Sequence, residues 1–325
     1  TSGGVRAIYP IQCLIMLMER CSDRKKVGEN SMRPEIINFS PNNRVVQVPP
    51  IFRAYRLVQM EIVHLGSGSR GNSTLVRTDE TAILIDCGFS MRQLERRMNL
   101  VNMNPENLDA ILVTHHHGDH GRSAKAASKR WGVEIHANME TCQKLTLDPV
   151  NECRIFENLE RRDVGPDLSI LPIPVPHDDA DNVAFVLSSN EGRAGFVTDL
   201  GEPTEELIKH LSGCNHLSIE ANYDTKRLFG NPRYPQKLKD RIHGRGGHLS
   251  NKQTASMLKR LVHERLDSIV LCHLSSDNNA PHLAESEVLC EIGEQFNGVI
   301  HISRQEGPEF AQWLGERAAE PLYWS

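Results

Sequence analysis

The chain has 325 residues, 39% of them hydrophobic, and a net charge of −5. That is enough for a substantial core, and no apolar run reaches the roughly 18 residues that cross a bilayer, so the expectation is a protein without a membrane span. Eight cysteines are scattered without a Cys-x-x-Cys pair, which argues against both a disulfide framework and a thiolate zinc site and points to a reducing cytoplasm.

Residues 1–59 differ from the rest. They carry nine Lys/Arg against four Asp/Glu, which leaves 28 against 38 in the remainder. An acidic body is no general nucleic-acid binder, so any such role needs a local basic patch. The segment 7–18 is apolar but interrupted by Pro10 and Gln12, and its charged run follows instead of preceding it, unlike a secretory signal. The composition predicts a poorly ordered extension over 1–59, upstream sequence ahead of a start at Met60, with a membrane-surface anchor as the alternative. The catalytic domain is expected over 60–325.

From Met60 the pattern is regular. MEIVHLG reads as a strand, and GSGSRGNS after it as a turn of glycine and small hydroxyls. TLVRT and AILIDCG read as a strand pair, MRQLERRM as a helix, and 108–113 (LDAILV) as a short buried strand. The next residues are Thr114-His115-His116-His117-Gly118-Asp119-His120, and then an alanine- and lysine-rich helix begins. The spacing is His-x-His-x-Asp-His. On an extended backbone His115 and His117 point the same way, while Asp119 and His120 follow where the chain turns and can face the same point. Neutral imidazoles converging with a carboxylate suit a borderline cation such as zinc. Four ligands in one turn cannot all hold one ion and leave water a place, so further ligands are expected downstream.

Beyond Trp131 come the strands VEIHA, SILPIPVP, NVAFVLSS and RAGFVTDLG, the helix EELIKHL and the strand HLSIEAN. The helix KQTASMLKRLV, the strand SIVLCHLS, the helix SEVLCEIGEQF and the strand GVIHIS close the chain. A run of antiparallel-looking strands followed by strand–helix alternation occurs twice. That predicts an α/β fold with two mixed sheets face to face and helices outside, an αββα sandwich. His177, Asp199 and His273 each end an apolar run at a strand terminus and are the further ligand candidates.

With the central motif, these residues resemble the ligand set of metallo-β-lactamase-fold hydrolases, and the resemblance runs from Met60 to about Arg304. It implies that His115, His117 and His177 hold one metal, that Asp119, His120 and His273 hold a second, and that Asp199 bridges them. Two divalent ions would be the cofactors, zinc by default for so many imidazoles, with manganese or iron as alternatives. Such a pair can bring a shared water near neutral pKa, with Asp119 orienting it or taking its proton. Asp86, in ILIDCG, would fix the orientation of a ligand or cap the turn at Cys87 and Gly88.

Fold alone does not name a substrate. Two later stretches, Glu220-Ala221-Asn222-Tyr223-Asp224 and Gly246-Gly247-His248-Leu249-Ser250-Asn251, resemble the phosphodiesterase branch that includes tRNA 3′-processing enzymes. GSGSRGNS, GHLSN and HLSSDNNAP together resemble the YycJ/WalJ-type subfamily, associated with exonuclease activity on DNA from the 5′ end. One departure is Tyr223, where that pattern leads one to expect a histidine. The resemblance implies a nuclease; an alkoxide leaving group needs a proton, and His248, in a glycine turn outside the metal set, is the expected donor, with Glu220 steadying it. Residues 226–245 carry seven Lys/Arg against Asp240 alone, interleaved with Phe229 and Tyr234, which suits phosphates and bases of a single strand, DNA favoured. Candidate substrate contacts are Ser69, Asn72, Lys237, Lys239, Arg241 and Ser250. The alternatives are a hydrolase of small esters or lactones and a non-catalytic regulatory scaffold.

Overall fold

The computed structural model describes residues 36–37, 46–47, 60–178 and 181–314. The chain separates between Arg56 and Leu57 into two units. In the first, the described part is a short antiparallel ladder of β1 (Ile36–Ile37) with β2 (Val46–Gln47). The expectation of a poorly ordered extension otherwise falls outside the described residues.

The second unit opens with β3 (Met60–Gly66), β4 (Ser73–Arg77) and β5 (Ala82–Ile85), paired antiparallel in that order. Helix α1 (Met91–Leu100) crosses over to β6 (Ala110–Leu112), which lies parallel to β5. The short helix α2 (Gly118–Gly121) and then α3 (Ala124–Trp131) lead to β7 (Glu134–Ala137), and α4 (Met139–Lys144) to β8 (Cys153–Ile155), both strands again parallel.

The second sheet repeats the scheme. Strands β9 (Arg162–Asp163), β10 (Ser169–Val175), β11 (Asn182–Ser189) and β12 (Gly192–Val197) are antiparallel. After α5 (Glu205–Leu211), β13 (His216–Glu220) is added in parallel. Helices α6 (Thr225–Gly230), α7 (Gln236–His243) and α8 (Asn251–Leu261) precede β14 (Ser268–Cys272), and α9 (Pro281–Ile292) precedes β15 (Val299–Ile302). The last strand, β16 (Gln312–Leu314), returns to pair with β3. Each sheet has seven strands.

Strand alternation explains the layers. Met60 and Ile62 of β3 face Phe185 and Phe196 in the core between the sheets, whereas Val63 and Leu65 face outward onto Leu94 and Met98 of α1. On the other sheet, Leu171, Ile173 and Val175 face α5 and α8, while Ile170 faces inward. Both faces of both sheets are therefore buried, which is why the strands read as nearly continuous apolar runs. The expected αββα sandwich is the observed one. Several features differ from the sequence expectations: GVIHIS is followed by a further strand, β16, and α4, β8 and β9 lie between VEIHA and SILPIPVP where no element is predicted. The basic stretch 226–245 contains α6 and α7 where no element is predicted, and Asp119 and His120 lie on the separate turn of helix α2.

Candidate metal centre and cleft

The carboxyl ends of the parallel strands gather on one edge of the sandwich, the edge where open α/β sheets bind ligands. Asp86 follows β5, His115 follows β6, Asp199 follows β12 and His273 follows β14. Asp86, Asp199 and His273 take left-handed backbone angles, φ 63, 57 and 54. That conformation costs a side-chain-bearing residue about 1–3 kcal/mol. It breaks the strand alternation so that each side chain turns toward a common point. Close backbone packing holds the opposite wall, since a Cβ on Gly88 would fall 1.7 Å from the Asp119 carbonyl oxygen. Cys87 N–H donates to the His120 carbonyl at 2.6 Å and Asn72 N–H to that of Asp119 at 2.8 Å.

Two sets of ligand atoms converge. His115, His117, His177 and Asp199 form one, and Asp119, His120, Asp199 and His273 the other; within each the atoms lie within 4.8 Å of one another. Asp199 is shared, with Oδ2 at 3.2 Å from His115 Nε2 and 2.6 Å from His120 Nε2. These are the two sets expected by resemblance.

The imidazoles are aimed from behind. His120 Nδ1 donates to Asp86 Oδ2 at 2.7 Å, His177 Nδ1 to the Gly247 carbonyl at 2.8 Å and His273 Nδ1 to Glu220 Oε1 at 3.1 Å, while His115 Nδ1 lies 3.0 Å from Thr114 Oγ1. With Nδ1 engaged in each, the tautomer that leaves Nε2 free for a cation is favoured. Nε2 of His115 and of His273 and Oδ1 of Asp199 are buried and without a hydrogen bond of good geometry among the described residues. Buried atoms left so cost stability unless something pairs with them. The donor set, nitrogen with carboxylate oxygen, fits divalent transition metals.

Charge is concentrated here. Burial works against the Asp199 carboxylate, but His273 and His120 outweigh it and hold its pKa well below the usual range. Burial likewise opposes charge on His120, yet Asp199 and Asp86 lift it to about 10, and on His273 Asp199, Asp119 and Glu220 overcome burial and raise it well above its ordinary value. Burial lowers His115 to about 3. A metal arriving at His120 and His273 takes the place of the protons that these carboxylates hold there.

His248 adds a group beside the two sets. Its Nδ1 lies 2.7 Å from Glu220 Oε1 and 3.2 Å from Asp199 Oδ1, and its ring is about a quarter exposed to the cleft. Glu220 is fully buried, and its Oε2 accepts the N–H groups of Leu200 at 2.9 Å and Leu249 at 3.2 Å. Burial disfavours the charged form of His248, but Glu220 and Asp199 prevail and raise its pKa to about 9.

The cleft above these groups, about 210 Å³, is lined by Ser69, Asp119, Asp178, Arg241 and His248 among others. The other substrate candidates do not reach it. Asn72 is buried: its Oδ1 accepts from Ser67 Oγ and Gly68 N, shaping the glycine-rich turn, and its Nδ2 lies 3.0 Å from His120 Nε2 behind the cleft. Ser250 is the N-cap of α8, taking the Gln253 N–H. Lys239 is turned inward on α7, its Nζ donating to the Phe229 carbonyl at 2.8 Å, and Lys237 is exposed on the same helix. Tyr223 is fully buried, its hydroxyl 2.7 Å from His243 Nδ1, so it ties α7 to β13. Asp178, which the sequence reading passed over, sits between His117 and Arg241. The only signal for it was an acidic residue directly after a ligand.

Comparison with known proteins places the chain in a family. The family described as Beta-lactamase superfamily domain matches residues 81–274. The chain is 31% identical over 241 residues to "Exodeoxyribonuclease WalJ" of Streptococcus pneumoniae serotype 2, which covers 72% of this chain and 89% of that protein. It is 30% identical over 261 residues to "Exodeoxyribonuclease YycJ" of Bacillus anthracis, covering 77% and 97%. Among solved structures, the metallo-beta-lactamase fold protein YhfI of Bacillus subtilis superposes with a TM-score of 0.60 at 17% identity, over 79% of this chain and 99% of that one, a likeness of fold. The chain belongs to the beta-lactamase superfamily and, within it, to the family of the YycJ and WalJ proteins.

Proposed function

We propose that this metal-dependent hydrolase is a dinuclear phosphodiesterase, a nuclease that attacks single-stranded nucleic acid from the 5′ end, with DNA as the favoured substrate and the cytoplasm as its compartment. The observation that carries the reading is the His248–Glu220 pair beside two converging ligand sets. Phosphodiester cleavage expels an alkoxide, which leaves faster if protonated as it departs, and the buried Glu220 keeps a proton on His248 for that purpose. The names of the relatives support nucleic acid as the substrate.

His115, His117 and His177 would hold one ion, Asp119, His120 and His273 the other, with Asp199 common to both; zinc is the default, manganese or iron the alternatives. When bound, the two cations supply a nucleophile at neutral pH and charge for the phosphoryl oxygens. Asp119, about a quarter exposed in the cleft, orients the attacking group and accepts its proton. Asp86, Thr114 and Glu220 keep the imidazoles aimed. Ser69 and Arg241 border the cleft where the strand would enter. Among the described residues no helix is long and apolar enough to cross a membrane.

An assay on single-stranded DNA and RNA labelled at either end, with zinc or manganese added, tests the reading. Stepwise loss of nucleotides from the 5′ end of DNA is the expected result. Turnover confined to small esters, with both polymers untouched, would replace the nuclease by the small-molecule hydrolase.

A further inference from the structure

Asp178 stands at the mouth of the cleft, and the chemistry assigned above leaves it without a task. Its backbone is turned to φ 48, and its N–H donates to the Gly246 carbonyl at 2.7 Å. A Cβ on Gly246 would come within 3.1 Å of the Asp178 nitrogen, so the 244–247 turn and Asp178 pack backbone against backbone. The carboxylate is therefore held in place from below. Its Oδ2 lies 3.1 Å from His117 Nε2, and its two oxygens lie 3.1 and 3.0 Å from Arg241 Nη2. An anion thus stands between the ligand set and a guanidinium, where the phosphate of a bound strand would also be drawn.

We propose that the Asp178 carboxylate is a built-in competitor for the substrate phosphate, holding Arg241 in the free enzyme and yielding it to a backbone phosphate of the nucleic acid. This rests on the nuclease reading. Both Asp178 oxygens occupy the one nitrogen Nη2, so a phosphate that takes that nitrogen must displace the carboxylate. Two anions that close also repel, which makes binding an exchange and not an addition. The exchange is easy, because the Arg241 side chain is 66% exposed and an ion pair so open to water is weak. It has a use as well. An enzyme that removes nucleotides one after another must let go of a phosphate after each cut, and an internal anion that reclaims Arg241 speeds that release.

The test uses the metal-loaded full chain and three variants, Asp178→Asn, Arg241→Gln and the double replacement. Asparagine tolerates the left-handed backbone as well as aspartate does, so the first keeps the local fold. Binding of a short single-stranded phosphorothioate oligodeoxynucleotide, which resists cleavage, is followed by fluorescence anisotropy as salt is raised, with metal content measured for each protein. Asp178→Asn should tighten binding roughly two- to fivefold, the scale of one exposed ion pair. It should also lower KM and strengthen inhibition by inorganic phosphate. Arg241→Gln should cost more in the Asp178→Asn background than in the wild type. Weaker or unchanged binding by Asp178→Asn, with the wild type binding well, would make Asp178 a support for Arg241 and overturn the competitor while sparing the nuclease. Loss of metal from Asp178→Asn would assign the residue to the metal centre and overturn it too. If none of the four binds DNA or RNA, the nuclease reading falls and the competitor with it.

Discussion

At the scale of single residues, the site depends on what stands behind each imidazole. The carboxylate of Asp86 accepts Nδ1–H of His120 at 2.7 Å and the Thr114 N–H at 2.9 Å, so it aims one ligand and anchors the loop that bears two others. Asp86→Asn should leave the fold intact and weaken metal retention roughly 10- to 100-fold, measured by competition with a chelator. His115→Ala combined with His117→Ala goes further and should remove at least one of two metal equivalents by elemental analysis. One equivalent or none in the reconstituted wild type would sink the dinuclear arrangement. His248→Ala should keep both metals yet slow phosphodiester turnover by roughly a hundredfold or more, in line with general-acid contributions. A nitrophenyl leaving group needs little proton help, so the loss there should be much smaller. Equal losses on both substrates would remove His248 from the acid role.

At the scale of elements, the basic stretch changes meaning once it is seen as helices. Leu238, Arg241 and Ile242 fall three and four residues apart on α7 and share the face that lines the cleft. Lys239 lies off that face and is tied to the end of α6 through the Phe229 carbonyl. The two lysines should therefore separate by measurement. Lys239→Gln should lower the unfolding free energy by about 1 kcal/mol for one hydrogen bond, read as an earlier denaturation midpoint, and leave the salt dependence of DNA binding unchanged. Lys237→Gln should leave stability alone and flatten the salt slope by about one ion where it meets a phosphate. A flattened slope for Lys239→Gln would mean that its ammonium leaves Phe229 for the nucleic acid.

At the scale of the whole molecule, the sandwich buries a polar thread between its sheets. His64 on β3 lies 2.9 Å from both Thr74 Oγ1 and Ser218 Oγ, and His216 lies 2.7 Å from Ser218 Oγ and 2.8 Å from Ser268 Oγ. Burial pushes His64 down to about 3 from its ordinary 6.5 and holds His216 well below that ordinary value too. The unfolded chain binds these protons below about pH 6.5 and the folded one does not, so their contribution is intact above that pH and is lost as pH falls toward 3. Urea unfolding at several pH values between 7 and 4 should show that decline, and His64→Gln should make it shallower by about one proton. An equal slope in the variant would place the acid sensitivity elsewhere. The unit boundary gives a second whole-molecule expectation: a chain beginning at Met60 should fold and keep its activity. An insoluble or inactive product would show that residues 1–59 are part of the body.

The residues that converge were marked in the sequence by the histidine-rich turn after β6 and by His177, Asp199 and His273 at the ends of apolar runs, because a buried strand that ends in a histidine or aspartate places it on the sheet edge whatever the partners are. The order of sheets and helices was legible for the same reason, since local periodicity reports which faces are buried. The residues that line the cleft were legible in part: Ser69, Asp119, Arg241 and His248 reach it, while other substrate candidates do not. Asn72, Lys239 and Ser250 have the right chemistry and stand near the right motifs, but the first shapes a turn and abuts His120, the second pins a helix and the third caps one. Asp178, unremarked in the sequence, reaches both a ligand and a guanidinium 63 residues away. Which way a side chain points from a loop or a surface helix depends on contacts made across the fold, such as Tyr223 on His243, and no local period encodes those. The candidate ligand set was thus written in the sequence, and the orientation of Asp178, Asn72, Lys239 and Ser250 around the cleft was decided by the tertiary structure, because it depends on contacts between residues far apart in the chain.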